Sequence, residues 1–364
     1  GLIHKYIGKI PFKIFMVIVS IMLLLLASVF VYTAGDLFVE RFFGVKEFVI
    51  TNPLVFSTYV LILLYFIIAT MFPIDKIIGK FYPILGLMLI LGTGMILVGF
   101  FVNGVNLQNF NFHNYNLHPK NLPLIPMFFM TVSCGLLSGF HSTQATIISR
   151  TVMNEKDGRR IFYGMMCVES LIAIIWAAAA MDVYSLNLVP QNIIGTVNVV
   201  NIIANKFVPF NFAFLVTLAI IILPITSGDT ALRGLRITIA EALNLEQKHI
   251  ADRLFIIIPI VFFVLLILYW AKTNAGSFGM IWRYFTFFNQ LIAIPVLLCA
   301  TIFLAKQKKN IFVTLLPALF YVFITMSFIF SEKIGFNLPL RYAEIIGLFL
   351  AVCAGIYVYK LMKK

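Results

Sequence analysis

The chain has 364 residues, of which 62% are hydrophobic and only 11% are charged, and its formal net charge is +13. A soluble domain normally carries about 25% charged residues and cannot bury this much apolar surface, so the composition excludes a soluble globular protein. The basic residues are scattered between apolar runs rather than concentrated in one domain, which argues against a nucleic-acid partner.

Ten apolar runs are long enough to cross a bilayer, which takes about 20 residues of α-helix. They are continuous, whereas the strands of a membrane barrel alternate apolar and polar residues. We therefore predict an all-α integral membrane protein, surrounded by membrane lipids, with a single polytopic domain over residues 1–364. The predicted spans are Phe12–Tyr32, Leu54–Phe72, Tyr82–Phe101, Leu124–Ile148, Phe162–Met181, Phe212–Thr230, Leu254–Ala271, Tyr284–Leu304, Ile311–Phe330 and Ala343–Tyr359.

The basic residues also predict the orientation of the chain. Most of the 27 Lys and Arg residues lie in alternate connections, such as Thr151–Ile161 and Arg233–Arg253. Positively charged loops stay in the cytoplasm, so both termini are predicted to be cytoplasmic. On the opposite side, Val197–Phe207 is too polar and too short to span, and we predict a re-entrant or surface helix there. Because the chain begins with Gly1 rather than Met, it is expected to be a fragment of a longer polypeptide.

The fourth run contains a concentration of small and polar residues. Its central part is Ser138, Gly139, Phe140, His141, Ser142, Thr143 and Gln144. An interrupted helix is stable in a bilayer only where protein or a water-filled cavity covers the exposed backbone. Transporters place solute and ion sites at such breaks, so these residues are predicted to bind a solute. Close helix packing through small residues is the alternative explanation.

The sixth run ends in a second segment of this kind, which contains Pro224, Thr226, Ser227, Gly228 and Asp229. Proline removes a backbone donor and glycine loosens the following turn, so we predict a break in this helix. Hydroxyls, freed carbonyls and one carboxylate are hard oxygen ligands, suited to a proton or an alkali-metal ion. A salt bridge from Asp229 to Arg233, one turn later, is the alternative role for the carboxylate.

Glu169 is the acidic residue that we place well inside a run, with Trp176 two turns further along the same helix face. An acid in hydrocarbon is costly and is a functional candidate by default. Since burial favours the neutral form of a carboxyl group, Glu169 is predicted to carry a proton. A protonated glutamate that serves only helix packing is the alternative. His141 is the one histidine within a run, and it is a candidate for solute binding, for a proton relay or for capping the broken helix.

No catalytic or metal-binding pattern is present in the sequence. It lacks HExxH, GxSxG and phosphate-loop motifs, and its four cysteines form no CxxC pair. We therefore predict neither an enzyme nor a metal site nor a cofactor, apart from a coupling ion, H⁺ or Na⁺.

Several blocks of sequence, occurring in the same order, resemble the carbon starvation protein A (CstA) family. The resemblance implies a protein of the bacterial or archaeal cytoplasmic membrane that takes up peptides or pyruvate. The blocks are Gly139–Gln144, Glu155–Arg159, Phe162–Met166, Glu169–Met181, Leu223–Ala231, Trp282–Phe285 and Asn289–Leu291.

The family is grouped with the amino acid–polyamine–organocation (APC) transporters. The resemblance thus implies a leucine-transporter-like bundle of two inverted five-helix repeats with broken helices. In that frame two core helices precede residue 1, the first predicted span is core helix three, and the interrupted fourth span is core helix six. Glu169 then lies on core helix seven and Pro224 on core helix eight. A Gly- and Pro-rich helix near the N-terminus of family members has no counterpart here, so either it precedes Gly1 in a longer polypeptide or it is absent and half of the predicted site is missing.

These observations predict a secondary active transporter that takes up a small carboxylate or a peptide by alternating access. An uncoupled channel or facilitator, and a membrane-embedded receptor or enzyme, stay open as alternatives. So do the identity of the solute, the coupling ion and the oligomeric state. The residues assigned to the solute are Ser138–Gln144, Trp176, Asn289 and Gln290. Those assigned to the proton or ion are Glu169, His141, Thr226, Ser227 and Asp229.

Overall fold

The computed structural model describes most of the chain as α-helix, and the described part contains no β-strand. Nine of its helical stretches are long and apolar enough to cross a membrane. The chain is therefore an all-α, multi-pass membrane protein. The described residues are 2–45, 48–71, 82–105, 107, 123–128, 130, 135, 137–149, 152–189, 198–274 and 276–362.

Twelve α-helices occur in this part of the chain. A 3₁₀ turn at Glu155–Asp157 and a π-helical turn at Arg159–Gly164 lead directly into the sixth, so that Glu155–Ser185 forms one spanning stretch. The helices are α1 (Leu2–Tyr6), α2 (Lys9–Phe43), α3 (Pro53–Met71), α4 (Tyr82–Asn103), α5 (Gly139–Ile148), α6 (Met165–Ser185), α7 (Val199–Phe207), α8 (Phe210–Leu243), α9 (Ile250–Thr273), α10 (Ser277–Lys306), α11 (Phe312–Ser331) and α12 (Leu340–Met362).

Nine of the ten predicted spans are confirmed, and several helices extend well beyond their apolar runs. α2 continues to Phe43 although the run ends at Tyr32. The extension includes Asp36, which is buried. A helix can continue through a polar residue where other parts of the protein supply its partners. The short α7 occupies most of the stretch predicted to be a re-entrant or surface helix.

The fourth predicted span is not one continuous helix. Leu124–Phe128 forms a separate π-type turn in which Ile125 has extended backbone angles, and α5 begins only at Gly139. Ser138 immediately before it is not helical. The predicted interruption of the fourth span is therefore present, and this span is the one of the ten that does not form a continuous spanning helix among the described residues. The intervening residues 129, 131–134 and 136 lie outside the described part of the chain.

The predicted break in the sixth span was also wrong, because α8 runs through Pro224 without interruption. Gly228 has a different role in this helix. A Cβ atom at that position would overlap the ring of Phe66, so the missing side chain lets α3 approach closely. The hydroxyl of Thr226 donates to the carbonyl oxygen of Leu223 at 2.9 Å. Transmembrane helices tolerate proline where neighbouring helices and hydroxyl groups satisfy the local backbone.

The chain divides into two compact units. The first comprises Gly1–Met22, Phe110–Met166 and Arg283–Lys364. Within it α11 and α12 form a helical hairpin, and Tyr321 and Ile324 of α11 pack against Ile302 of α10 in a buried core. This core holds α10 in place, and α10 in turn carries the polar residues that contact α5.

The second unit comprises Leu23–Asn109 and Cys167–Trp282. Its central element is α8, which packs against α3, α4, α7 and α9. Ile96, Ile175 and Phe207 belong to the main buried apolar cluster of this unit. Large apolar side chains on the outer faces of its helices are exposed, as expected of surfaces that face lipid.

Candidate functional site

The N-terminal end of α5 lies against α10 within the first unit. Gly139 makes this contact possible, because a Cβ atom there would overlap the backbone oxygen of Asn289 and lie 2.7 Å from Cβ of Ile292. Any larger residue would push the start of α5 away from α10. The glycine that marks the interruption in the sequence is therefore also the point of closest approach between the two helices.

Asn289 caps the start of α5 from the neighbouring helix. Its side-chain oxygen accepts a hydrogen bond from the backbone N–H of Phe140 at 2.8 Å and another from the hydroxyl of Ser138 at 3.1 Å. Asn289 is 0% exposed. It lies roughly 18 Å along α10 from Ser277, at 1.5 Å per residue. The start of α5 thus lies beside the middle of a spanning helix, where a helix end is unusual.

The remaining polar groups of α5 fold back onto its own first turns. The hydroxyl of Ser142 donates to Gly139 O at 2.6 Å, and that of Thr143 donates to Phe140 O at 2.7 Å. Gln144 donates to the Thr143 hydroxyl at 3.3 Å. These side chains and His141 are half-buried, whereas Gln290 of α10 is fully buried. The structure brings the predicted residues 138–144 together with Asn289 in one unit.

A buried ion pair that the sequence analysis missed lies in the second unit. Lys272 donates to both carboxylate oxygens of Asp36 at 2.8 and 2.7 Å, and the Tyr59 hydroxyl donates to the same carboxylate at 2.6 Å. Both charged side chains are 2–3% exposed. The ammonium group of Lys272 also lies 3.9 Å from the centroid of the Tyr32 ring. The pair ties together α2, α3 and α9.

Two further polar contacts lie in the same unit. One helical turn beyond Asp36, the carboxylate of Glu40 accepts hydrogen bonds from the side chains of Asn198, at 2.9 Å, and Asn201. Lys206 pairs with Asp182, whose side chain is buried. Polar contacts therefore connect α2, α6 and α7 at the ends predicted to face away from the cytoplasm.

Asp229 is a third buried acid, on the unbroken α8. Its carboxylate accepts hydrogen bonds from the Tyr65 hydroxyl and the Thr230 hydroxyl, each at 2.9 Å. Arg233, predicted as an alternative partner, donates to the backbone oxygen of Ala69 at 2.9 Å. Thr226 and Ser227 are half-buried on the preceding turn. The second unit thus holds all three residues of the predicted ion path.

Glu169 lies on α6, close to the middle of the stretch Glu155–Ser185, and its side chain is exposed. The expectation that this acid is buried was wrong, because its side chain is exposed, and the buried acids of the described spans are Asp36, Asp182 and Asp229. Trp176 on the same helix is half-buried, and its indole N–H donates to the Thr93 hydroxyl at 3.1 Å. Glu169 and Trp176 belong to the second unit, whereas the α5 residues belong to the first.

Lys272 and Asp36 were missed because each has an ordinary local explanation. Lys272 follows an apolar run and counts as a loop charge in a topology argument, and Asp36 follows the apparent end of the first span. Gly35 beside Asp36 has no room for a Cβ atom because the Tyr59 ring covers it. That packing is visible only in three dimensions, so the sequence contained no local signal of the pair.

Comparison with known proteins identifies one matching family and individual bacterial proteins that are similar to parts of the chain. The family model for carbon starvation protein CstA matches residues 55–208 and 191–328. The chain is 34% identical over 159 residues to an uncharacterized membrane protein of Haemophilus influenzae, covering 39% of this chain and 43% of that protein. It is 41% identical over 114 residues to a second uncharacterized Haemophilus influenzae protein, covering 31% of this chain and 78% of the relative.

A third relative is a transporter. The chain is 41% identical over 58 residues to the pyruvate/proton symporter BtsT of Escherichia coli K12, which covers 16% of this chain and 8% of the symporter. The chain therefore spans less than half of the first relative and a small part of the symporter. No solved structure matches it.

Proposed function

Since the chain belongs to the carbon starvation protein A family, we propose that it is a secondary transporter that takes up a small carboxylate or a peptide. In this proposal, solute uptake is coupled to the entry of H⁺ or Na⁺ and proceeds by alternating access. The similarity to a pyruvate/proton symporter supports it, together with the nine spanning helices among the described residues. The observation that carries it is the helix end at Gly139, beside the middle of α10.

The chemistry of that helix end favours an anionic solute. The N-terminus of a helix carries a partial positive charge and presents backbone N–H groups. Its cap, the side chain of Asn289, is neutral and adds no negative charge to the helix end. A carboxylate of the solute would supply the missing negative charge. The half-buried side chains of His141 and Gln144 lie on the same helix and are the further solute contacts that we propose.

Glu169 is the proton carrier in this proposal. A side chain that gains and loses a proton during each cycle has to be reached by water. An exposed carboxylate near the middle of a spanning stretch is very costly against lipid, so we assign it to an aqueous passage. Asp229 has a different environment, buried between two hydroxyl donors, and we assign it with Thr226 and Ser227 to the ion path. His141 is the second candidate for proton transfer.

The membrane and the orientation are also proposals. We place the protein in the prokaryotic cytoplasmic membrane with both termini in the cytoplasm, because the basic loops lie predominantly on one side. The inverted-repeat architecture of the amino acid–polyamine–organocation transporters is the framework within which alternating access would operate. Access of a charged reagent to single cysteines introduced at Lys156 and Asn274 tests the orientation, since we place these two residues on opposite sides.

The full-length protein in proteoliposomes is expected to accumulate solute above its external concentration under an inward proton or sodium gradient. Pyruvate, amino acids and dipeptides should be compared in parallel with each gradient applied separately. Accumulation that collapses when an ionophore dissipates the gradient supports a coupled transporter. Downhill flux alone would indicate a channel or facilitator, and binding without flux would indicate a receptor.

Glu169→Gln is expected to abolish accumulation driven by a proton gradient, because glutamine cannot release a proton. Exchange of internal for external solute should persist, since it requires no net proton movement. Glu155→Gln is the matched control, because it removes an exposed acid at the start of the same helical stretch and should leave accumulation unchanged. Unaltered proton-driven accumulation in Glu169→Gln would remove this residue from the coupling mechanism.

A further inference from the structure

Three arginines converge in the second unit, at the end of α8 predicted to be cytoplasmic. Arg233 and Arg236 lie on α8, and Arg253 lies on α9. Arg236 is 6% exposed. Among the described residues, the charges that act on Arg236 are those of Arg253 and Arg233, both positive. We call these three residues the arginine cluster.

Neutral oxygen atoms accept the hydrogen bonds described for the cluster. Arg253 donates to Met71 O at 2.8 Å, as Arg233 does to Ala69 O at 2.9 Å, so both cap the C-terminal end of α3. Arg236 donates to the side-chain oxygen of Gln247. The partial negative charge of a helix C-terminus explains why two arginines lie there. It does not explain the third, which is the most deeply buried.

Arg236 is therefore left without a compensating charge among the described residues. Its Nε atom is buried and has no hydrogen-bond partner within this part of the chain. Two acids that lie beside Gln247 and Arg253 in the sequence have other partners. Glu246 pairs with Lys248 at 3.0 Å, and Asp252 accepts a hydrogen bond from the backbone N–H of His249 at 3.1 Å. A buried guanidinium beside two like charges is costly unless an anion balances it.

We propose that the arginine cluster binds the phosphate of an anionic phospholipid headgroup. Planar guanidinium groups suit phosphate because they donate two parallel hydrogen bonds. The cluster lies just beyond the apolar run that ends at Thr230, at the level expected for headgroups. The basic side of the protein is predicted to face the cytoplasmic leaflet, where anionic lipids attract positively charged residues. This site is independent of the solute site on α5.

The test compares lipids by their effect on thermal unfolding of the full-length protein in detergent. Phosphatidylglycerol is expected to raise the midpoint by at least about 3 °C, as a ligand of the folded state does. Phosphatidylcholine and inorganic phosphate should produce no comparable shift. A shift of equal size with phosphatidylcholine would overturn the proposal. A shift of equal size with inorganic phosphate would show that a free anion is the ligand, and it would contradict a lipid headgroup.

Arg236→Gln should lose most of the shift produced by phosphatidylglycerol, whereas Arg159→Gln should retain it. Arg159 is the matched control because it is exposed on the same predicted side and its replacement removes the same charge. Arg236→Lys keeps the positive charge but lacks the planar guanidinium group that donates two parallel hydrogen bonds. This variant should therefore bind phosphatidylglycerol about tenfold more weakly, a difference that native mass spectrometry measures. Equal lipid binding in the wild type and both Arg236 variants would exclude the site.

A carboxylate of the chain itself is the competing explanation, and Asp75 is the acid that follows α3 in the sequence. Asp75→Asn distinguishes the two. If lipid is the anion, the variant should retain the wild-type shift with phosphatidylglycerol. If the lipid effect appears only after Asp75 is replaced, the chain supplies its own anion and the proposal is wrong.

Discussion

Replacing Lys272 with Met is expected to lower the free energy of unfolding by about 3–5 kcal/mol, because it leaves the carboxylate of Asp36 buried without its counter-charge. The side chain of Asp36 is almost completely buried, and Lys272 contacts both of its oxygens. The remaining donor, the Tyr59 hydroxyl, cannot neutralise a negative charge. Reversible unfolding in mixed micelles measures the loss.

The double variant Asp36→Asn/Lys272→Met should recover most of that stability. It removes both charges together and keeps an oxygen that accepts the Tyr59 hydrogen bond. Lys248→Met is the matched control, since Lys248 pairs with Glu246 on an exposed surface and such pairs contribute about 0–1 kcal/mol. If Lys272→Met and Lys248→Met proved equally stable, the buried pair would have no special role in the fold.

Asn289→Asp is expected to raise the KM for an anionic solute at least about tenfold with little loss of stability. An aspartate keeps the oxygen that caps α5, and a carboxylate at a helix N-terminus is itself stabilising by about 0.3–1 kcal/mol. The added negative charge would then repel a solute carboxylate from the same helix end. Initial rates of uptake into proteoliposomes, measured over a range of solute concentrations, separate KM from the maximal rate.

Asn289→Ala tests the structural part of the same contact. It removes the acceptor for the Phe140 N–H and the Ser138 hydroxyl, so the stability should fall by about 1–2 kcal/mol. Asn154→Asp is the control for the charge change, because Asn154 caps a 3₁₀ turn in an exposed loop and its side chain accepts from Lys156 N. An unchanged KM in Asn289→Asp would mean that the start of α5 does not meet the solute carboxylate.

Hydropathy alone locates the nine spanning helices of the described part of the chain, because a helix in lipid must be apolar over most of its length. It does not locate their ends. α2 extends through Asp36 and Glu40 because Lys272 and Asn201 supply their partners, and both partners are far away in the sequence. A local pattern contains no information about such pairs, so the buried ion pair was accessible only from the structure.

The two glycine-containing segments show a different limit. Gly139 and Gly228 each lie among hydroxyl-bearing residues, and the sequence predicts an interruption at both. At Gly139 the helix does begin, against the backbone of α10, whereas at Gly228 the helix continues and Phe66 of α3 fills the space. The two sites differ in the residue that packs against the glycine, which is Asn289 for Gly139 and Phe66 for Gly228. The identity of that residue cannot be deduced from the sequence around the glycine.

The continuity of α8 limits how the second unit can change shape. This one helix carries Thr217, which contacts Asn201, then Asp229, which contacts Tyr65, and finally the buried Arg236 near its other end. If α8 had a hinge at Pro224, its two halves could tilt separately. Because α8 is continuous, it moves as one rigid body, and a tilt that displaces Thr217 also displaces Arg236. A lipid held at Arg236 would consequently resist motion at the opposite face of the bilayer.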